Sequence, residues 1–78
     1  MNKLIEILGW YGMLAIISAY ALVSFSFLTP ESLSYQLLNG TGAIGIAIIS
    51  FHKRTYQPAV LNCIWTVIAI AAIVKILL

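Results

Sequence analysis

Asn62, Trp65 and Thr66 lie within about a turn of one another in a stretch that is otherwise apolar. An amide both donates and accepts hydrogen bonds, and an indole adds a flat apolar face with one N–H donor. Together they suit a sugar or another small polar solute. The plainer use of Asn62 is a bond to a neighbouring helix, worth about 0.6 to 2 kcal/mol in a membrane. Asn39 supplies a second amide and Tyr20 a phenol, each inside its own apolar run. The candidate substrate-binding residues are therefore Asn62, Trp65, Asn39 and Tyr20. Ser18 and Ser24 can satisfy themselves on their own backbone carbonyls.

Little else in the chain points to chemistry. No nucleophile stands beside a base, no carboxylates pair and no glycine-rich loop offers to cradle a phosphate, so an enzyme is not expected. His52 adjoins Lys53 and Arg54 and reads as a headgroup contact, because the apolar runs hold no acid to relay a proton. Glu6 can pair with Lys3 three residues earlier. Cys63 is the single cysteine, so it forms no intrachain disulfide, has no metal-ligand spacing around it and reads as a small packed residue. No cofactor and no metal are implied.

The elements that position these residues are set by where the charges fall. Lys3 and Glu6 precede a first uncharged run, Glu31 separates it from a second, Lys53 and Arg54 separate the second from a third, and Lys75 lies near the end. Each run approaches the roughly 20 residues that cross a bilayer core. With 63% hydrophobic and 8% charged residues, a chain this short cannot hide its apolar surface from water. The net charge of +2 is too small, and too scattered, for nucleic acid. The expectation is an all-α integral membrane bundle of three transmembrane helices in one domain, spanning about 4–28, 30–51 and 58–78.

Thr29-Pro30-Glu31 reads as the start of the second helix, with threonine at N-cap, proline at N1 and an acid at the positive dipole end. The first joint is then very short. Pro58 likewise suits the first turn of the third helix. Ala19-Tyr20-Ala21 has the form of a signal cleavage site, but Glu6 breaks the positive leader and the apolar run continues through Phe27, so a retained helix is expected. Basic residues at the amino terminus, Lys53 and Arg54 predict a cytoplasmic N-terminus and an outside C-terminus in the cell membrane. Trp10, Tyr11, Phe51 and Tyr56 would form a belt at the cytoplasmic interface.

Gln36, Gly40, Ala43, Ala47 and Ser50 make one stripe of small or polar residues on the second helix, with Gly42 and Asn39 beside it and Gly45 one turn on. Such a stripe lets another backbone approach closely and reads as a helix-packing face formed by Gln36, Gly40, Gly42, Ala43 and Gly45. The alternative is a flexible wall of a transport path. Three packed helices leave a solid centre, so a solute path needs further walls, and a two-fold homodimer is the least elaborate way to supply them.

The order of parts resembles the SemiSWEET half-transporters of the PQ-loop fold: Ser18 in helix 1, residues 29–34 at the joint, a glycine-bearing helix 2, then Pro58 and Asn62 in helix 3. That resemblance implies a three-helix chain that dimerises to move sugars, with Asn62 matching an asparagine that lines the pocket. The family's tryptophan in helix 2 has no match, and Ala19-Tyr20-Ala21-Leu22 stands where the family has proline-glutamine. The runs Tyr35 to Asn39 and Leu61 to Trp65 also resemble small, uncharacterised bacterial three-helix membrane proteins. Two functions follow as expectations. One is a homodimeric half-transporter for a small polar solute, held near the midplane. The other is a non-transporting accessory or regulatory subunit that docks its helix 2 stripe on a larger membrane partner.

Overall fold

The computed structural model describes residues 3–78, which form three helices: α1 (Lys3–Ser24), α2 (Leu33–His52) and α3 (Tyr56–Leu77). No strand occurs among the described residues. α2 is the middle of the arrangement. Both α1 and α3 pack along it, and they do not pack on each other. Helix-wheel positions place the two contacts on nearly opposite sides of α2: Gly42, Gly45 and Ile49 meet α1, whereas Gly40 meets α3. The result is an open row of three helices with α2 in the middle and a face on either side, 37 × 24 × 20 Å in extent.

Glycine makes the α1–α2 contact possible. A Cβ on Gly12 would lie 2.5 Å from the carbonyl oxygen of Gly42, and one on Gly42 would lie 2.9 Å from that of Gly12. A Cβ on Gly45 would strike the carbonyl of Leu8. The two backbones therefore touch, which only missing side chains permit. The α2–α3 contact is looser, since a Cβ on Gly40 would meet the Ala69 methyl at 3.0 Å. The buried apolar residues are all alanines: Ala15, Ala19, Ala43, Ala47, Ala59 and Ala69. Among the described residues no large side chain is fully buried, and leucines, isoleucines and aromatics point outward along all three helices. That is the reverse of a water-soluble core.

Both joints use the same helix ending. After α1, the Phe27 N–H bonds the Leu22 carbonyl at 2.8 Å and the Ser26 N–H bonds the Val23 carbonyl at 3.1 Å. After α2, Thr55 bonds Ser50 at 2.9 Å and Arg54 bonds Phe51 at 3.1 Å. These are Schellman motifs, with Ser26 (φ 66°) and Arg54 (φ 58°) at the left-handed position that usually takes glycine. None of the five glycines has positive φ; all lie within the helices.

Two sequence expectations are corrected here. The first helix ends at Ser24, not near residue 28, so residues 25–32 form a longer joint than expected. Thr29 does not cap α2, and Pro30 lies in the turn before it. Ser32 is the N-cap, its hydroxyl accepting the Tyr35 N–H at 3.2 Å, and the Gln36 side-chain amide donates to the Pro30 carbonyl at 2.8 Å. The physical reason is that the Schellman ending closes α1 first and leaves Thr29 and Pro30 to turn the chain. Among the described residues, two of the three helices, α1 and α3, are long and apolar enough to cross a membrane. Gln36, Asn39, Thr41 and three glycines lower the hydropathy of α2.

Two outcomes follow. Gly12→Ala should lower stability by about 1–3 kcal/mol through overpacking, read by denaturant titration in detergent, with Gly40→Ala costing less. Ser26→Gly should raise stability by about 1 kcal/mol, because it removes a left-handed side-chain penalty.

Candidate functional site

The polar side chains within the helices divide into those with a partner in the chain and those without. Asn62 is half-buried against α2, and its Nδ2 donates to the Pro58 carbonyl in its own helix at 2.8 Å. Thr66 Oγ1 donates to the Asn62 backbone carbonyl at 2.8 Å. Gln36 is tied to the joint by its bond to Pro30. Thr55 Oγ1 donates to the Ser50 carbonyl at 3.1 Å, reinforcing the end of α2.

A bond between helices occurs at residues that sequence reasoning did not single out as a pair. The Tyr11 and Thr41 hydroxyls are 2.7 Å apart, and Thr41 Oγ1 lies 2.6 Å from the Leu37 carbonyl. Threonine has one hydroxyl proton and gives it to Leu37, so Tyr11 donates to Thr41. Tyr11 lies about 4 Å from the middle of α1 and Thr41 about 2 Å from the middle of α2, at 1.5 Å per residue. Tyr11 thus belongs to mid-helix, not to a belt at the helix ends. The threonine is four residues after a helical carbonyl and level with a tyrosine across a glycine contact. Neither signal can be read before the helix pairing is known.

The side chains of Asn39, Trp65 and Tyr20 make no hydrogen bond among the described residues. Asn39 and Trp65 face one groove of about 200 Å³ between α2 and α3, lined also by Pro30, Tyr35, Gln36 and Ile68. Asn39 is half-buried, and Trp65 is 46% exposed. Both lie near mid-helix, about 5 Å and 2 Å from the respective midpoints. Asn62 is not in the wall of this groove.

Tyr20 is on α1, which does not reach α3, and is 73% exposed. It nonetheless shares a broad face with Asn39. Met13 and Ile46 line one groove across the α1–α2 seam. Tyr20 is seven residues after Met13 and Asn39 is seven before Ile46, so both project to that same side. The pairing of Gly12 with Gly42 and Gly9 with Ile49 puts Tyr20 within about a turn of Asn39 in depth. The layer therefore carries a phenol, an amide and an indole on one face, spread over about 12 Å of depth at 1.5 Å per residue, all open to whatever lies against it.

The packing residues are placed as follows. Gly42 and Gly45 lie against the α1 backbone, Gly40 against Ala69, and Ala43 is fully buried. Gln36 bonds the joint and borders the groove. The complementary face of α1 was missed: Gly9, Gly12, Ala15 and Ala19 are its buried residues. Their spacing of three and four was legible as a small-residue stripe. Among the described residues no cluster of histidine, cysteine or acids is able to hold a metal ion.

Removing the Tyr11–Thr41 bond should cost about 0.6 kcal/mol, the mean for interhelical bonds in membranes. A double-mutant cycle with Tyr11→Phe and Thr41→Ala in detergent should show that coupling. Additive effects would mean that the bond contributes nothing.

No curated protein and no solved structure matches the chain, so the likeness to SemiSWEET half-transporters rests on the order of parts alone. A protein-family model matches residues 5–78, nearly the whole length. The chain belongs to that small, uncharacterised family.

Proposed function

We propose that the chain is a three-span membrane protein and that two copies pair to form a half-transporter-like assembly for a small polar solute. The observation that carries this reading is the pair of unpartnered groups, the Asn39 amide and the Trp65 indole, in one groove near mid-helix. Polar groups at such depth in hydrocarbon are costly unless something satisfies them. A single layer of helices encloses no path, and a second copy placed over the Tyr20–Asn39–Trp65 face supplies the missing wall.

Membrane embedding is supported by α1 and α3, of which only 22% and 11% of the most apolar window is buried. A core helix of a soluble protein would be mostly covered. α2 is less apolar because it is covered on two sides by protein, where small and polar residues are tolerated. Joined to its neighbours through residues 25–32 and 53–55 and packed between them, it would cross with them. The cytoplasmic N-terminus and outside C-terminus belong to this proposal, carried by Lys53 and Arg54 at the α2–α3 joint. The sugar specificity of SemiSWEET chains enters here only as one candidate solute class.

The accessory-subunit reading relied on the small-residue stripe of α2 as a docking face. Gly40, Gly42, Ala43 and Gly45 are buried within the chain, which leaves that stripe little surface to offer. Capture of one stoichiometric larger partner from native membranes would favour it over self-pairing.

The test is release of trapped, labelled glucose and glycerol from proteoliposomes. Asn39→Ala and Trp65→Ala should each slow release at least about ten-fold, the loss of one buried hydrogen bond to the solute. Asn62→Ala should have a smaller effect, because its amide is already engaged by Pro58. Unchanged release in both Asn39→Ala and Trp65→Ala would sink the assignment.

A further inference from the structure

A second groove, of about 290 Å³, runs along the other helix seam, between α1 and α2, on the same side as Tyr20 and Asn39 but toward the opposite helix ends, beyond the part of the face assigned to a second copy. Gly9, Trp10, Met13, Ile46 and Ile49 form its apolar part, and Glu6 and Lys53 stand at one end. Glu6 is in the first turn of α1 and Lys53 caps α2, so both sit where the helices end. An acid and a base share one mouth, yet no ion pair joins them. Gly9 widens the floor of the groove at the level just below the charges, lying against Ile49 with no side chain of its own.

We infer that this groove is a binding site for a zwitterionic phospholipid with a primary amine in its headgroup. The inference rests on the membrane reading given above. Lys53 offers an ammonium to the lipid phosphate, and Glu6 accepts N–H bonds from the lipid amine. The acyl chain lies along Trp10, Met13 and Ile46. An anionic lipid would satisfy Lys53 and leave Glu6 facing a negative group. A choline lipid would satisfy Lys53 but has no N–H to give the carboxylate. The charge pair thus selects for an aminophospholipid over both, while the apolar walls select for a lipid over a soluble headgroup.

The test is lipid retention by native mass spectrometry of the full chain. It is purified in detergent and offered equal amounts of phosphatidylethanolamine, phosphatidylcholine and phosphatidylglycerol. The wild type should keep the ethanolamine lipid in roughly three- to five-fold excess, the scale of an exposed ion pair. Glu6→Gln should erase that excess, and Lys53→Gln should lower retention of all three lipids. Glu31→Gln, at the opposite end of the layer, should leave the preference intact, and free glycerophosphoethanolamine should not displace the bound lipid. Equal retention of choline and ethanolamine lipids by the wild type, or a preference that survives Glu6→Gln, would overturn the site. Alkaline carbonate extraction separates the two failures. A chain that washes off the membrane overturns the membrane reading and the lipid site together, whereas a chain that stays and shows no preference overturns the lipid site alone.

Discussion

Backbone contact between α1 and α2 is the constraint from which the remaining geometry follows. Gly12, Gly42 and Gly45 bring two main chains together where a single methyl group would collide with a carbonyl. That closeness lets the Tyr11 hydroxyl reach Thr41 near the middle of both helices. It also fixes which sides of α1 and α2 look outward, and so places Tyr20 and Asn39 on a common face. Because α2 has spent one side on α1, α3 must take the other, through Gly40 and Ala69. A layer results, not a closed bundle, and its polar groups are left at a surface.

Small residues do here what large apolar ones do in a water-soluble core. Six alanines fill the contacts, and the bulky side chains are turned out. In water this would forfeit the hydrophobic driving force. In a bilayer that force is absent between helices, and dispersion contacts with shared hydrogen bonds decide the packing. The same economy explains the joints. Glycine is kept for helix faces, and Ser26 and Arg54 carry the left-handed turns at some cost in strain.

Much of this architecture was legible in the chain. The three uncharged runs marked three helices, and Pro58 fell in the first turn of α3, two residues after its start at Tyr56. The first joint was misread because threonine, proline and an acid make a good helix start wherever they occur. Ser32 competes for the same role three residues before Tyr35, and only the bond from the Tyr35 N–H to its hydroxyl distinguishes them. The site was legible by residue type but not by grouping. Asn62 and Trp65 are neighbours in sequence, yet one turns toward its own backbone and the other toward Asn39. Side-chain hydrogen bonding within a helix decides that, and helical spacing carries no information about it.

The central claim is that the Tyr20–Asn39–Trp65 face is covered by a second copy of the chain. Native mass spectrometry of the purified protein released from lipid nanodiscs measures this directly. The account predicts a dimer that Trp65→Arg converts to monomer. A wild-type chain that remains monomeric at every protein-to-lipid ratio would contradict it.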